Sequence, residues 1–259
     1  MNTDFIVATE IVDQKLRETD KIPLFLAISG SHSCGLEQSG SDIDIRGIYL
    51  DSTEKVLSLH PGDDNVEGSV SVAVLPKIDY QCYEVKKAFN MLLNNNGNIV
   101  RLLLNLPFRT YIRTNLCWYD IAKRFLTKKL RNYYSGYAHA QKKRAMSCRG
   151  GKALVYTYRE IFEGIFLMEN GYLEMNFNNM WDYMVKKNYY TEGLLYKAIQ
   201  DRHMIPTYDQ WKEFECEWER LCGILDIAAE HSRLPDKHNG YDYLNNELVR
   251  LRGVMREGV

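Results

Sequence analysis

The chain has 259 residues, of which 45% are hydrophobic and 26% charged, and its formal net charge is −1. That length is enough for one large or two ordinary domains, and the composition is that of a soluble globular protein. No apolar run approaches the ~20 residues of a bilayer-spanning helix, and the amino terminus lacks a secretory signal pattern, so the expectation is a cytoplasmic protein with no membrane partner.

Taken in chain order, Phe5, Ala8, Val12 and Leu16 recur at helical spacing and predict a helix over residues 3–18, with Asn2 or Thr3 as its cap. Ile22 to Ile28 reads as a buried strand that runs into Gly30-Ser31. Glycine permits a turn tight enough for backbone N–H groups to face an anion, and the Ser31 hydroxyl adds a donor. After a short loop-helix the chain returns as a second strand, Asp42 to Leu50. Strand alternation puts Asp42, Asp44 and Arg46 on one face and Ile43 and Ile45 on the other. Two carboxylates about 7 Å apart along a strand, beside an anion-binding turn, suit a divalent cation that holds a polyphosphate. An edge strand with polar residues outward is the competing reading, and a bare Asp-x-Asp would favour it.

The segment 51–70 reads as an exposed polar loop, with Pro61-Gly62-Asp63-Asp64 as a turn. Ser71 to Leu75 is a short β-prone run, and Ile78 to Tyr83 a further strand with Asp79, Gln81 and Tyr83 on one face. Helices follow over 84–93 and, capped by Asn98 and stopped by Pro107, over 99–104. Beyond about residue 112 no strand is expected, and 112–130, 132–147, 152–169 and 211–230 read as helices. The six cysteines show neither Cys-x-x-Cys nor zinc-like spacing and read as reduced thiols. Between Ile121 and Arg159 stand eleven basic residues and no acidic one. Such segregation predicts a basic face for a phosphate-bearing partner such as RNA, against a merely solvated helical face.

Gly30-Ser31 followed by Asp42-x-Asp44 resembles the signature of the DNA polymerase β-like nucleotidyltransferase superfamily. Ser41-Asp42-x-Asp44-x-Arg46-Gly47 is similar to its bacterial and phage branch that includes the RNA-ligase-associated, RNA-repair nucleotidyltransferases. Cys34 departs from that branch, which usually has an aromatic residue there. Lys152-x3-Tyr156-x2-Arg159-x4-Gly164 resembles a helix of the same branch, with tyrosine where histidine is usual. The resemblance implies an α+β protein: a small mixed sheet with helices on one face over 1–112, then an all-helical domain over 113–259 that closes the nucleotide cleft.

It also implies a metal-dependent, NTP-using enzyme that moves an NMP to a hydroxyl acceptor and releases pyrophosphate. Asp42, Asp44 and a third carboxylate would hold two Mg²⁺ or Mn²⁺ ions; Asp79 is favoured over Glu84 as the third. Gly30, Ser31, Lys152 and Arg159 would meet the phosphates, Arg46 would orient Asp44 or touch phosphate, and Tyr156 would stack on a base or donate one hydrogen bond. The acceptor is expected to be an RNA end. A small-molecule or protein hydroxyl, or a non-catalytic nucleotide sensor, are the alternatives.

Overall fold

The computed structural model describes residues 2–105, 109–112, 116–148, 150–190 and 193–254, with backbone alone for 109–112, 148 and 254. The chain folds as two compact units, 1–125 with 238–259, and 126–237. The sequence places the expected boundary after residue 112. The sheet unit, however, also takes in the helix Trp118–Lys123 (α5) and, from the far end of the chain, Tyr241–Val254 (α11).

The sheet unit begins with Thr3–Arg17 (α1), capped by the Asn2 side chain as expected. Its strands are Ile22–Ser29 (β1), Ile43–Leu50 (β2), Asn65–Val70 (β3), Ile78–Glu84 (β4) and Arg109–Ile112 (β5), in the order β3-β4-β2-β1-β5. The sheet is mixed: β2 runs parallel to β4, and the other pairs are antiparallel. Strand alternation divides its residues cleanly. Leu26, Ile28, Ile43, Ile45, Ile78 and Cys82 face α1 and pack on Ala8, Val12 and Leu16. Gly47 lies in this layer because a Cβ there would come within 2.7 Å of the Phe25 carbonyl oxygen and 3.0 Å of Cys82 Sγ.

The opposite face is apolar at one end, where Phe25 meets Trp118 of α5, and Trp118 meets Phe89 of the helix Val85–Leu93 (α3). Helices thus reach both faces of the expected mixed sheet, not one. At the other end this face carries half-buried Asp44, Arg46, Asp79 and Gln81.

Several local expectations are corrected. Turns, not a short helix, follow Gly30. The segment 51–70 contains a helix, Thr53–Leu57 (α2), and the strand β3. That strand precedes the β-prone run 71–75: its Val66 and Val70 pack on the core, while of the run only Leu75 does so and Val74 is exposed. Asn96, not Asn98, caps Gly97–Leu104 (α4). Pro107, the expected stop, lies outside the described residues. The helix expected over 112–130 contracts to α5, and β5 adds a strand at its start.

The regular elements described in the second unit are all helices: Leu130–Cys148 (α6), Gly151–Asn170 (α7), Phe177–Lys186 (α8), Leu194–Gln200 (α9) and Tyr208–His231 (α10). Helix α7 is its axis, with Leu154, Tyr158, Ile161, Phe162 and Ile165 buried. Helix α10 packs with the predicted Phe214, Trp218, Leu221 and Leu225 inward, and a Thr207–Gln210 capping box fixes its start.

Candidate active site

The register of the sheet places four polar residues in one row across four strands. Ser29 of β1 pairs with Asp44 of β2, Asp44 with Asp79 of β4, and Asp79 with Ser69 of β3. Neighbouring strands lie about 4.8 Å apart, so Asp44 and Asp79 are lateral neighbours on the same face. Ala27, Arg46, Gln81 and Glu67 form the next row on that face, where Gln81 donates to Glu67 at 3.2 Å. Asp42 just precedes β2 and is exposed.

Gly30 follows β1 directly, with φ at +64°. A Cβ at this position would lie 2.7 Å from Asp44 Cγ and nearer still to its Oδ2. The glycine therefore serves two ends: it makes the turn, and it vacates the space that the Asp44 carboxylate fills. The turn is closed by Ser31, whose carbonyl accepts from the amides of Cys34 and Leu36 at 3.2 and 3.1 Å. Ser33 donates its hydroxyl to the Gly30 carbonyl at 2.9 Å. The Ser31 hydroxyl makes no hydrogen bond among the described residues. His32 has its Nε2 3.3 Å from the Ser41 carbonyl and its ring edge-on to Phe5.

The carboxylates differ in their partners. Arg46 reaches Asp44 Oδ1 at 3.4 Å and donates to its neighbour's carbonyl, Ile45 O, at 3.1 Å. Asp79 accepts a short hydrogen bond from the Ser69 hydroxyl and is bracketed by Lys77, whose Nζ lies 2.9 Å from Oδ1 and 3.1 Å from Oδ2. The Ser69 bond, with Lys77 behind it, holds the Asp79 carboxyl below the usual carboxylate range. Among the described residues, no three His, Cys, Asp or Glu side chains come close enough to hold one ion together. Asp42 and Asp44 are hard oxygen donors of the kind Mg²⁺ and Mn²⁺ take, while Asp79 is satisfied by protein groups.

Glu84, the alternative third carboxylate, is occupied elsewhere. It caps α3 by accepting from the Lys86 amide at 2.7 Å, and its other oxygen accepts from Arg252 of α11 at 2.7 Å. Ser69 and Lys77 were not foreseen. Lys77 was legible, since it stands two residues before Asp79, just ahead of β4. Ser69 was hidden by the reading of 51–70 as a loop.

The remaining site candidates belong to the helical unit. Lys152 is exposed in the first turn of α7, and Tyr156 is half-buried one turn on. Arg159 is buried, stands over the Tyr156 ring at 5.9 Å, and lies 3.8 Å from both Glu160 and Glu163. Glu163 in turn accepts from the Tyr134 hydroxyl at 2.8 Å. The basic stretch 121–159 is divided between the units, and the acidic end of the chain answers part of it: Lys128 pairs with Asp236, Arg131 with Asp226 and Lys142 with Glu215. Lys129, Lys143 and Arg144 are exposed, with no acidic partner among the described residues.

A turn bearing a glycine and a free hydroxyl, set against an aspartate row, is a suitable frame for phosphate chemistry, and comparison with known proteins gives it a context. An uncharacterized protein of Methanocaldococcus jannaschii is 27% identical over 163 residues; the match spans 61% of this chain and 65% of that protein's length. A crystal structure of a nucleotidyltransferase-like protein from Exiguobacterium sibiricum superposes over 87% of this chain and 73% of its own at 11% identity. Its TM-score of 0.32 is too low for that likeness to bear on fold or function. A family model matches residues 8–250, which hold the Gly30 turn, the aspartate row and the α7 stripe together, and by that match the chain belongs to the RNA repair pathway DNA polymerase beta family.

Proposed function

We propose that this protein transfers a nucleoside monophosphate from an NTP to a hydroxyl, with pyrophosphate as the leaving group, and that the acceptor is an RNA end. The observation that carries this reading is the position of Asp44, in register between Ser29 and Asp79 with its carboxylate seated over Gly30. Such chemistry has little covalent work for the protein; the barrier is the meeting of two anions and the charge that develops on the leaving oxygens.

In this scheme the acceptor oxygen attacks the α-phosphorus, the bond between α-phosphorus and the bridging oxygen breaks, and the hydroxyl proton is lost to solvent. Asp42 and Asp44 would hold a divalent cation, Mg²⁺ or Mn²⁺, which neutralises phosphate charge when bound. Gly30 and Ser31 offer backbone N–H and hydroxyl donors to the terminal phosphates. Arg46 orients Asp44. Asp79, ionised at neutral pH because Ser69 and Lys77 stabilise its charge, accepts a hydrogen bond from the attacking hydroxyl. On the helical unit Lys152 is assigned to phosphate and Tyr156 to the base. Arg159, between two glutamates, acts through Tyr156 as a positioning residue.

RNA as the acceptor rests on the family's pathway and on exposed Lys129, Lys143 and Arg144. The test is incubation with each α-³²P-labelled NTP, Mg²⁺ or Mn²⁺, and a panel of RNA ends, proteins and small hydroxyl compounds. Label should pass to RNA. Asp42→Asn and Asp44→Asn should each reduce transfer at least about 10²–10³-fold, the scale of losing one electrostatic element of such a site, with the melting temperature unchanged. Equal transfer by wild type and both variants would refute the assignment. An RNA affinity that falls steeply with salt would mark phosphate contacts by the basic residues.

A further inference from the structure

We propose that Lys77 is a tethered cation of the candidate active site: its ammonium takes the place at Asp79 that a second divalent ion would otherwise occupy, so the aspartate row binds one metal ion per chain. This inference rests on the nucleotidyl-transfer reading and makes it more specific. Three observations on the sheet carry it. Both carboxylate oxygens of Asp79 are within 3.1 Å of Lys77 Nζ, and Ser69 donates to Oδ1 as well. An ion on Oδ2 would compete with Lys77, and one on Oδ1 with Lys77 and Ser69 together. Asp42, by contrast, is exposed and makes no ion pair or hydrogen bond among the described residues, so an ion can reach its carboxylate without displacing a protein group.

The position of Lys77 is also built rather than incidental. Its carbonyl accepts from the Ile43 amide at 2.8 Å, which ties the Lys77 backbone to the start of β2, between Asp42 and Asp44. Lys77 immediately precedes β4, and its side chain lies on the Asp79 side of the sheet, as their contact at 2.9 Å requires. From there the ammonium also feels the charges of Asp42 and Asp44. One +1 charge so placed opposes a second +2 ion at short range, and it supplies positive charge where the acceptor oxygen approaches without needing to bind and leave.

The experiment counts Mn²⁺ ions bound per folded chain, by loss of the free Mn²⁺ paramagnetic resonance signal in a titration of the full-length protein. Wild type should bind one Mn²⁺. Lys77→Met should bind two, and Lys77→Arg, which keeps the charge, should bind one. Asp44→Asn should abolish the wild-type site. Two ions in wild type, or one in both wild type and Lys77→Met, would overturn the role of Lys77 and leave nucleotidyl transfer standing. No ion in any of the proteins would sink the metal-dependent reading itself. Lys77 is exposed, so its substitution should leave the thermal transition in place, and Lys77→Gln provides a second neutral side chain should methionine perturb folding.

Discussion

At Gly30 a backbone requirement and a packing requirement coincide, and they can be separated by comparison with Gly40. Both glycines have positive φ, +64° and +78°, where a β-carbon costs roughly 1–2 kcal/mol. Around Gly40 a Cβ would meet nothing within 4 Å, whereas at Gly30 it would drive into the Asp44 carboxylate. Gly40→Ala should therefore lower stability in urea unfolding by about 1 kcal/mol and keep activity. Gly30→Ala should cost more than that and abolish the proposed nucleotide transfer, because the carboxylate must move. The sequence announced the turn at Gly30 by residue type alone. Its second duty was not legible, since it depends on which strand lies beside β1 and in what register. Arg159 teaches the same lesson in reverse: its helical spacing from Lys152 and Tyr156 was correct, but its burial between Glu160 and Glu163 could not be read from spacing.

At the scale of elements, helix ends and helix contacts are held by buried charged groups whose linkage to pH has a definite sign. Glu217 of α10 accepts a short hydrogen bond from Tyr158 of α7, and burial raises its pKa above the ordinary carboxylate value despite that bond and Arg220. The folded chain thus holds this proton more tightly than the unfolded chain. Its contribution to stability is complete below the unfolded pKa near 4.5 and is lost as pH rises through the folded value. Glu217→Gln lacks that titration, so its melting temperature relative to wild type should increase with pH across this window, as differential scanning calorimetry would show. In the sheet unit, α11 is fastened to the start of α3 by Arg252 and Glu84, whose side chains are only 14% and 6% exposed. Removing one partner of such a pair leaves a buried charge uncompensated. Arg252→Met should lower stability by about 3 kcal/mol in denaturant unfolding, and Arg252→Lys by less.

For the whole molecule, the chain's last helix belongs with its first 125 residues rather than with the helices that precede it. His238 caps this return, with its Nε2 3.0 Å from the Leu93 carbonyl and its ring 4.7 Å from that of Phe125, while Gly240 admits the Phe125 ring where a Cβ would not fit. A chain truncated after residue 237 should therefore lose stability in the sheet unit, read as increased amide exchange in β2 and β4, and not merely lose a helix. No helix among the described residues is long and apolar enough to cross a membrane.

By itself the sequence determined what is local: the helix stripes of α1, α7 and α10, the strand–glycine–strand unit of residues 22–50, and the common face of Asp44 and Arg46. Each of these follows from periods of 3.6 or 2 and from residue-specific turn chemistry, and neither needs a distant partner. Only the tertiary structure decided that β2 runs parallel to β4 with Asp44 opposite Asp79, that β3 brings Ser69 to that carboxylate, and that α11 returns to Glu84. Those choices depend on pairing between segments far apart in the chain, where register is set by which apolar faces must be covered and by strand neighbours that no local period encodes.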